Sequence, residues 1–135
     1  MTDAELVAKK LALIETYVAE LERMAKPELI ASDVRERRFV EHTLQIAIQA
    51  ALDVASHVVS DERLGEPRTN QALFDLLAQA GWLPPELAVA MRRAVGFRNV
   101  VVHGYSAVDV DIVRDVLEHH MPDLLAFVSA IRAGL

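Results

Sequence analysis

Residues 96–105, GFRNVVVHGY, set an arginine, an asparagine, a histidine and a tyrosine around three consecutive valines. Arg98 offers a planar, permanently charged fork that matches phosphate oxygens and can stabilise charge that grows on them during transfer. His103 carries an imidazole, the side chain that accepts or donates a proton near neutral pH, a role worth roughly 10²–10⁴ in rate. Asn99 can orient a substrate, and Tyr105 can stack on a base or form a hydrogen bond. Together these suit a phosphodiester. The same types also have plain uses, since a histidine at a helix C-terminus is a favourable cation beside the last carbonyls and an arginine next to it is commonly solvated.

Chemistry requires that the four side chains meet. At about 100° per residue, Arg98 and Tyr105 return to nearly the same helical face, and Asn99 and His103, one turn apart, stack. Gly104 can close the helix in a left-handed conformation and turn His103 and Tyr105 towards a cleft, with the valines facing the core. The helix that carries them starts at Pro84-Pro85, which suits a first turn, and runs through Leu87, Met91, Ala94, Val95 and Arg98. The three valines favour strand, but they are too short and isolated to build a sheet.

The rest of the chain is also helical in pattern. Val7, Leu11, Ile14, Val18 and Leu21 recur at three- and four-residue steps, with Thr2 and Glu5 as a capping box and an end before Pro27. Ser32 can cap a second, longest helix marked by Val40, Leu44, Ala47, Ala51, Val54 and Val58. Gly65-Glu66-Pro67 breaks the pattern. Thr69 or Asn70 then precedes a short amphipathic segment from Gln71 to Ala80, closed by Gly81. Asp109 and Asp111 suit the start of a last helix with Ile112, Val116, Leu124, Phe127, Val128 and Ile131 on its apolar side, and Pro122 predicts a kink or restart. With no alternating strand pair, no repeat and no linker, these elements predict one all-α domain over residues 1–135, an up-and-down bundle of four to five helices.

Composition narrows the function. Of 135 residues, 53% are hydrophobic and 25% charged, enough for a core without disulfide or metal support. The absence of cysteine removes thiolate chemistry. The opening MTDAELVAKKLALIE has neither the basic start nor the apolar run of a signal peptide or membrane span, so the expected location is cytoplasmic. A net charge of −6 argues against broad attraction to nucleic acid, so any RNA contact must be local. Arg35, Arg37 and Arg38 at the start of the second helix, with Arg92, Arg93 and Arg98 on the fourth, could form a basic rim, or an ordinary charged helix face. His119 and His120 are adjacent and should diverge on a helix, so no zinc site is expected. His42 and His57 are isolated, Asp109 and Asp111 read as helix capping, and Trp82 reads as a core anchor more than as a base-stacking residue.

The pattern Arg98-NVVV-His103-Gly104-Tyr105 at a helix end in a small all-α chain resembles that of the HEPN superfamily. Across most of residues 30 to 130 the chain resembles the HepT-like toxins: ERRFVEHTLQIAIQAALDVASHVVS, then GEPRTNQALFDLLAQAGWLPPELAVAMRRAVGFRN, then Val-Asp shortly after the tyrosine. The resemblance implies a metal-independent ribonuclease toxin of a toxin–antitoxin pair, a homodimer whose cleft joins two motifs and acts on transfer or messenger RNA without a cofactor. It implies that Arg98 and His103 are catalytic, with Asn99 in support. It further implies an MntA-like minimal nucleotidyltransferase as antitoxin, with Tyr105 as the acceptor of AMP. The competing reading is a non-catalytic helical module that docks a nucleotidyltransferase or a nucleotide with the same residues.

Overall fold

A computed structural model describes residues 3–103 and 109–135, with residues 100–103 described as backbone. The described residues form six α-helices and no strand: α1 (Ala4–Met24), α2 (Val34–Asp61), α3 (Ala72–Gln79), α4 (Pro85–His103), α5 (Val110–His119) and α6 (Met121–Gly134). A single 3₁₀ turn, Pro27–Leu29, links α1 to α2. The expected four to five helices become six because the last one breaks at His120, just before Met121 and Pro122 start α6; proline lacks the N–H that would continue α5. Val100 to Val102 are helical, as their isolation from any partner strand requires.

Start signals fall within a residue of expectation. The cap of α1 is Asp3, whose carboxylate accepts from the Leu6 N–H at 3.2 Å, and not Thr2. Asp33, not Ser32, caps α2 by accepting from the Arg35 N–H at 2.8 Å. In both cases a carboxylate adds charge to the cap and suits the positive helix end better than a hydroxyl. Asp109 caps α5 as expected, accepting from Asp111 N–H at 2.8 Å, and Thr69 accepts from Ala72 N–H at the start of α3. Gly81 follows α3 at φ +85°, where a side chain would be strained.

The antiparallel pair α1–α2 forms one wall. Lys10 meets Asp53 near one end, and Glu36 accepts from the Lys26 N–H near the other. Next to this wall, α4 packs on α2 and α6 packs on both α1 and α4, with α3 bracing α2 and α4. Every apolar position expected on α1 and α2 is buried, and Met91, Val95, Leu124, Phe127, Val128 and Ile131 join them in one core. Ala47, Ala51 and Ala55 are also buried, and their small side chains allow close helix approach. Ile112 departs from expectation: it is half exposed, and Val113 is the buried residue of α5. The difference follows from the weak docking of α5, which packs mainly on α6 and is tied to the 3₁₀ turn by Arg114 Nε donating to the Pro27 carbonyl at 3.0 Å. Trp82 is half-buried against the core and covers Gly134, where an added Cβ would lie 2.5 Å from the indole.

Arg132 on α6 grips Glu15 on α1 with both arms of its guanidinium, Nη1 at 2.9 Å and Nη2 on the other oxygen. Those hydrogen bonds hold the Glu15 carboxyl below its usual value of 4.5. A depressed acid pKa contributes stability above the unfolded value that disappears as pH falls through the folded one. The expected result is a melting-temperature advantage of the native chain over Glu15→Gln at neutral pH that shrinks as pH falls below 4.5 and is lost once the folded carboxyl is protonated. An advantage that does not shrink on acidification would contradict the assignment.

Candidate active site at the junction of α2 and α4

Arg98 stands on the last turns of α4, where that helix crosses α2, and its half-buried fork is held by neutral acceptors. Nη2 donates to Gln49 Oε1 of α2 at 2.5 Å, and Nη1 donates to Asn99 Oδ1 at 3.2 Å. Nε is buried and makes no hydrogen bond among the described residues. Behind Gln49 the chain of contacts continues: its Nε2 donates to Asp53 Oδ1 at 2.9 Å, and Lys10 Nζ on α1 donates to Asp53 Oδ2 at 3.3 Å. Asn99 therefore meets Arg98 directly.

His103 is the final residue of α4, so the helix delivers its backbone to the end of the same segment, one turn past Asn99. Gly104 and Tyr105 lie outside the described residues, and so does the orientation of the His103 side chain and of the three valines. Gln49 was not singled out by sequence reasoning. A signal existed: Gln49 and Asp53 are polar residues one turn apart within the apolar run IAIQAALDV.

The other arginines have different surroundings. Arg92 is engaged within the fold, its guanidinium paired with Asp75 of α3 and its carbonyl accepting from Gln71 Nε2 at 2.9 Å. Arg93 is exposed beside a cleft of about 310 Å³ between α4 and the α5–α6 corner, lined also by Phe97, Ile112, Val116 and His120. Arg35 and Arg38 are exposed at the start of α2. At about 1.5 Å per residue, Arg38 lies roughly 16 Å along α2 from Gln49, a few nucleotides of extended RNA from the site.

The histidines also differ from expectation. His119 and His120 do not diverge, because the break between α5 and α6 bends the backbone between them. His119 Nδ1 lies 3.0 Å from Asp115 Oδ1, and His120 spans Asp115 at 3.2 Å and Asp123 at 3.0 Å. They act as a clasp across the corner. His42 is exposed, and His57 Nε2 lies 2.9 Å from Asp61 one turn on, a local pairing.

Comparison with known proteins decides the lineage. The family described as ribonuclease HepT-like matches residues 10–131, nearly the whole chain. The chain belongs to this family. HepT-like relatives cover it end to end: the mRNA nuclease HepT of Shewanella oneidensis is 28% identical over 96% of this chain and 98% of its own. The tRNA nuclease HepT of Aphanizomenon flos-aquae is 32% identical over 100% of this chain and 95% of its own. Among solved structures, the tri-AMPylated HEPN toxin of Shewanella oneidensis in complex with an MNT antitoxin superposes with a TM-score of 0.89 at 29% identity, over 98% of this chain and 99% of that one. The HepT-like bundle is thus shared at the level of the whole helical arrangement, including the α2–α4 crossing that seats Arg98.

Proposed function

We propose that this chain is the ribonuclease toxin of a toxin–antitoxin pair, cleaving transfer or messenger RNA without a metal ion. The observation that carries the reading is the seating of Arg98: a half-buried guanidinium held by Gln49 and Asn99, five residues before the histidine that ends the same helix. Surface arginines need no such seat, whereas a phosphate-binding fork does. Nuclease relatives aligned over the full length support the same activity class.

The chemistry follows from RNA itself. The ribose 2′-oxygen attacks the adjacent phosphorus while one His103 removes its proton, and the bond from phosphorus to the 5′-oxygen breaks as a second His103 protonates the leaving oxygen. Arg98 holds the non-bridging oxygens as their charge grows. Two histidines require two protomers, so the working unit is a homodimer with both motifs in one cleft. Arg35, Arg38 and Arg93 extend the contact to neighbouring phosphates, whereas the charge of Arg92 is taken up by Asp75. No described helix is long and apolar enough to cross a membrane.

The antitoxin is an MntA-like minimal nucleotidyltransferase that transfers AMP from ATP to the Tyr105 oxygen, with pyrophosphate leaving. The AMPylated HEPN toxin found with an MNT antitoxin supports this step. The deciding experiment is cleavage of transfer and messenger RNA in EDTA, with analysis of product ends. Cleavage that leaves a 2′,3′-cyclic phosphate and a 5′-hydroxyl is expected; no cleavage by unmodified dimer would favour a helical module that only docks a nucleotidyltransferase or nucleotide. Tyr105→Phe should remain a nuclease yet gain no mass of AMP when incubated with the partner and ATP. A mass shift of one AMP on that variant would move the acceptor elsewhere.

A further inference from the structure

We propose that Gln49, backed by Asp53 and Lys10, is a positioning residue that aims the Arg98 guanidinium without cancelling its charge. The inference rests on the role given to Arg98 above. An arginine side chain has many rotamers, and a fork that must meet phosphate oxygens in one geometry needs an anchor. Gln49 Oε1 supplies it at 2.5 Å. An amide alone could turn its N–H end to the arginine, where two donors would repel. Asp53 prevents this, because its carboxylate accepts only, and it takes the Gln49 Nε2 proton at 2.9 Å. Lys10 in turn binds the other Asp53 oxygen at 3.3 Å.

The order of charges along this line has a consequence. The carboxylate that orients the amide has its own cation in Lys10, and the group that touches Arg98 is neutral. The arginine is therefore held by a hydrogen bond and not by an ion pair, so its full charge is left for a phosphate. A carboxylate at position 49 would grip the guanidinium more firmly and neutralise it in the same act. The line also joins three helices, α4 to α2 to α1, so the aim of the fork is set by the bundle and not by its own helix alone. Arg98 Nε is buried beside this anchor, so loss of the Gln49 bond would leave a second guanidinium donor without a protein partner in a partly dry site.

The test is steady-state RNA cleavage by the full chain carrying Gln49→Leu, which removes the anchor at similar volume. A drop in kcat of roughly 10–100-fold with KM little changed is expected, because the charge stays but its direction is lost. In an Arg98→Ala background the same substitution should have no further effect. Gln49→Glu combined with Asp53→Asn keeps each contact along the line paired, with the bond between 49 and 53 reversed in direction, but moves the negative charge next to Arg98. That variant should keep the melting temperature and raise KM severalfold, with a shallower dependence on salt. Lys10→Met, which acts on Arg98 only through Asp53 and Gln49, should give a partial loss in kcat with the fold intact.

Wild-type kcat in Gln49→Leu, or an equal loss with and without Arg98, would overturn the positioning role while leaving the nuclease reading in place. A KM unchanged by the charge-moving pair would overturn the argument from neutrality. Full cleavage by Arg98→Ala itself would remove the role of Arg98, and the positioning role with it, a result distinct from the other two.

Discussion

Replacing His103 with alanine is expected to lower RNA cleavage by roughly 10²–10⁴, the usual worth of a positioned proton-transfer group, while helical content and dimerisation stay as they are. The fold should tolerate the change because His103 is the last residue of α4, where the core contacts of Met91 and Val95 have already been made. Circular dichroism and sedimentation report the fold and the dimer, and product analysis on a gel reports the chemistry. A stronger form of the test mixes tagged wild-type and His103→Ala chains and isolates the heterodimer. If base and acid come from two protomers, that heterodimer has one of the two and should cleave far below half the wild-type rate. Half the wild-type rate would mean that each protomer carries a complete site. Cleavage retained in the His103→Ala homodimer would remove His103 from the mechanism.

Phe127→Ala is expected to have the largest effect on stability. Phe127 of α6 and Phe74 of α3 are both fully buried, with ring centroids 5.8 Å apart and planes at 79°, an edge-to-face pair at the centre of the bundle. Truncation removes the pair and leaves a cavity lined by helices that also make other contacts and so cannot collapse to fill it, at a cost of about 3–5 kcal/mol. Against a total of about 5–15 kcal/mol for a domain, that is a large share. The melting temperature should fall by roughly 10–20 °C, and Phe127→Leu, which refills most of the volume, should recover the greater part. A fall of only a few degrees for the alanine variant would show that the cavity closes. Because the hydrogen bonds that seat Arg98 come from Gln49 of α2 and from Asn99, residual folded protein should still cleave RNA.

The two variants separate the demands on the chain. The His103 variant tests the proposed proton transfer, and the Phe127 variant tests packing in the core. Gln49 lies between them, a polar side chain set in an apolar stretch of α2 whose neighbours Ile48 and Ala50 are buried.

Much of the helical plan is legible from local rules. Periodicity marks the buried face of α1 from Val7 to Leu21 and of α2 from Val40 to Val58, because a helix exposes the same face every three or four residues whatever it packs against. Gly81 and Pro85 mark an end and a start for reasons internal to their own backbones. Caps are less certain by one residue: Asp3 and Asp33 sit directly beside Thr2 and Ser32, either of which can accept the same bonds. The split of the last helix was signalled by Pro122, but the corner it makes was not, so the meeting of His119 and His120 at Asp115 could not be foreseen.

From the sequence by itself came the helical class, the amphipathic faces, and the order in which Arg98, Asn99 and His103 follow one another on α4, since each is a property of residues within two turns of each other. Tertiary structure decided which of the arginines is seated and by what. Gln49 is 49 positions from Arg98 and Lys10 is 43 from Asp53, and helical periodicity has no reach over such separations. Only the crossing of α4 on α2, and of α2 on α1, closes them to hydrogen-bond distance. The same packing pairs Arg92 with Asp75 and leaves Arg93 exposed, a distinction between adjacent residues of one type that depends wholly on where α3 lies.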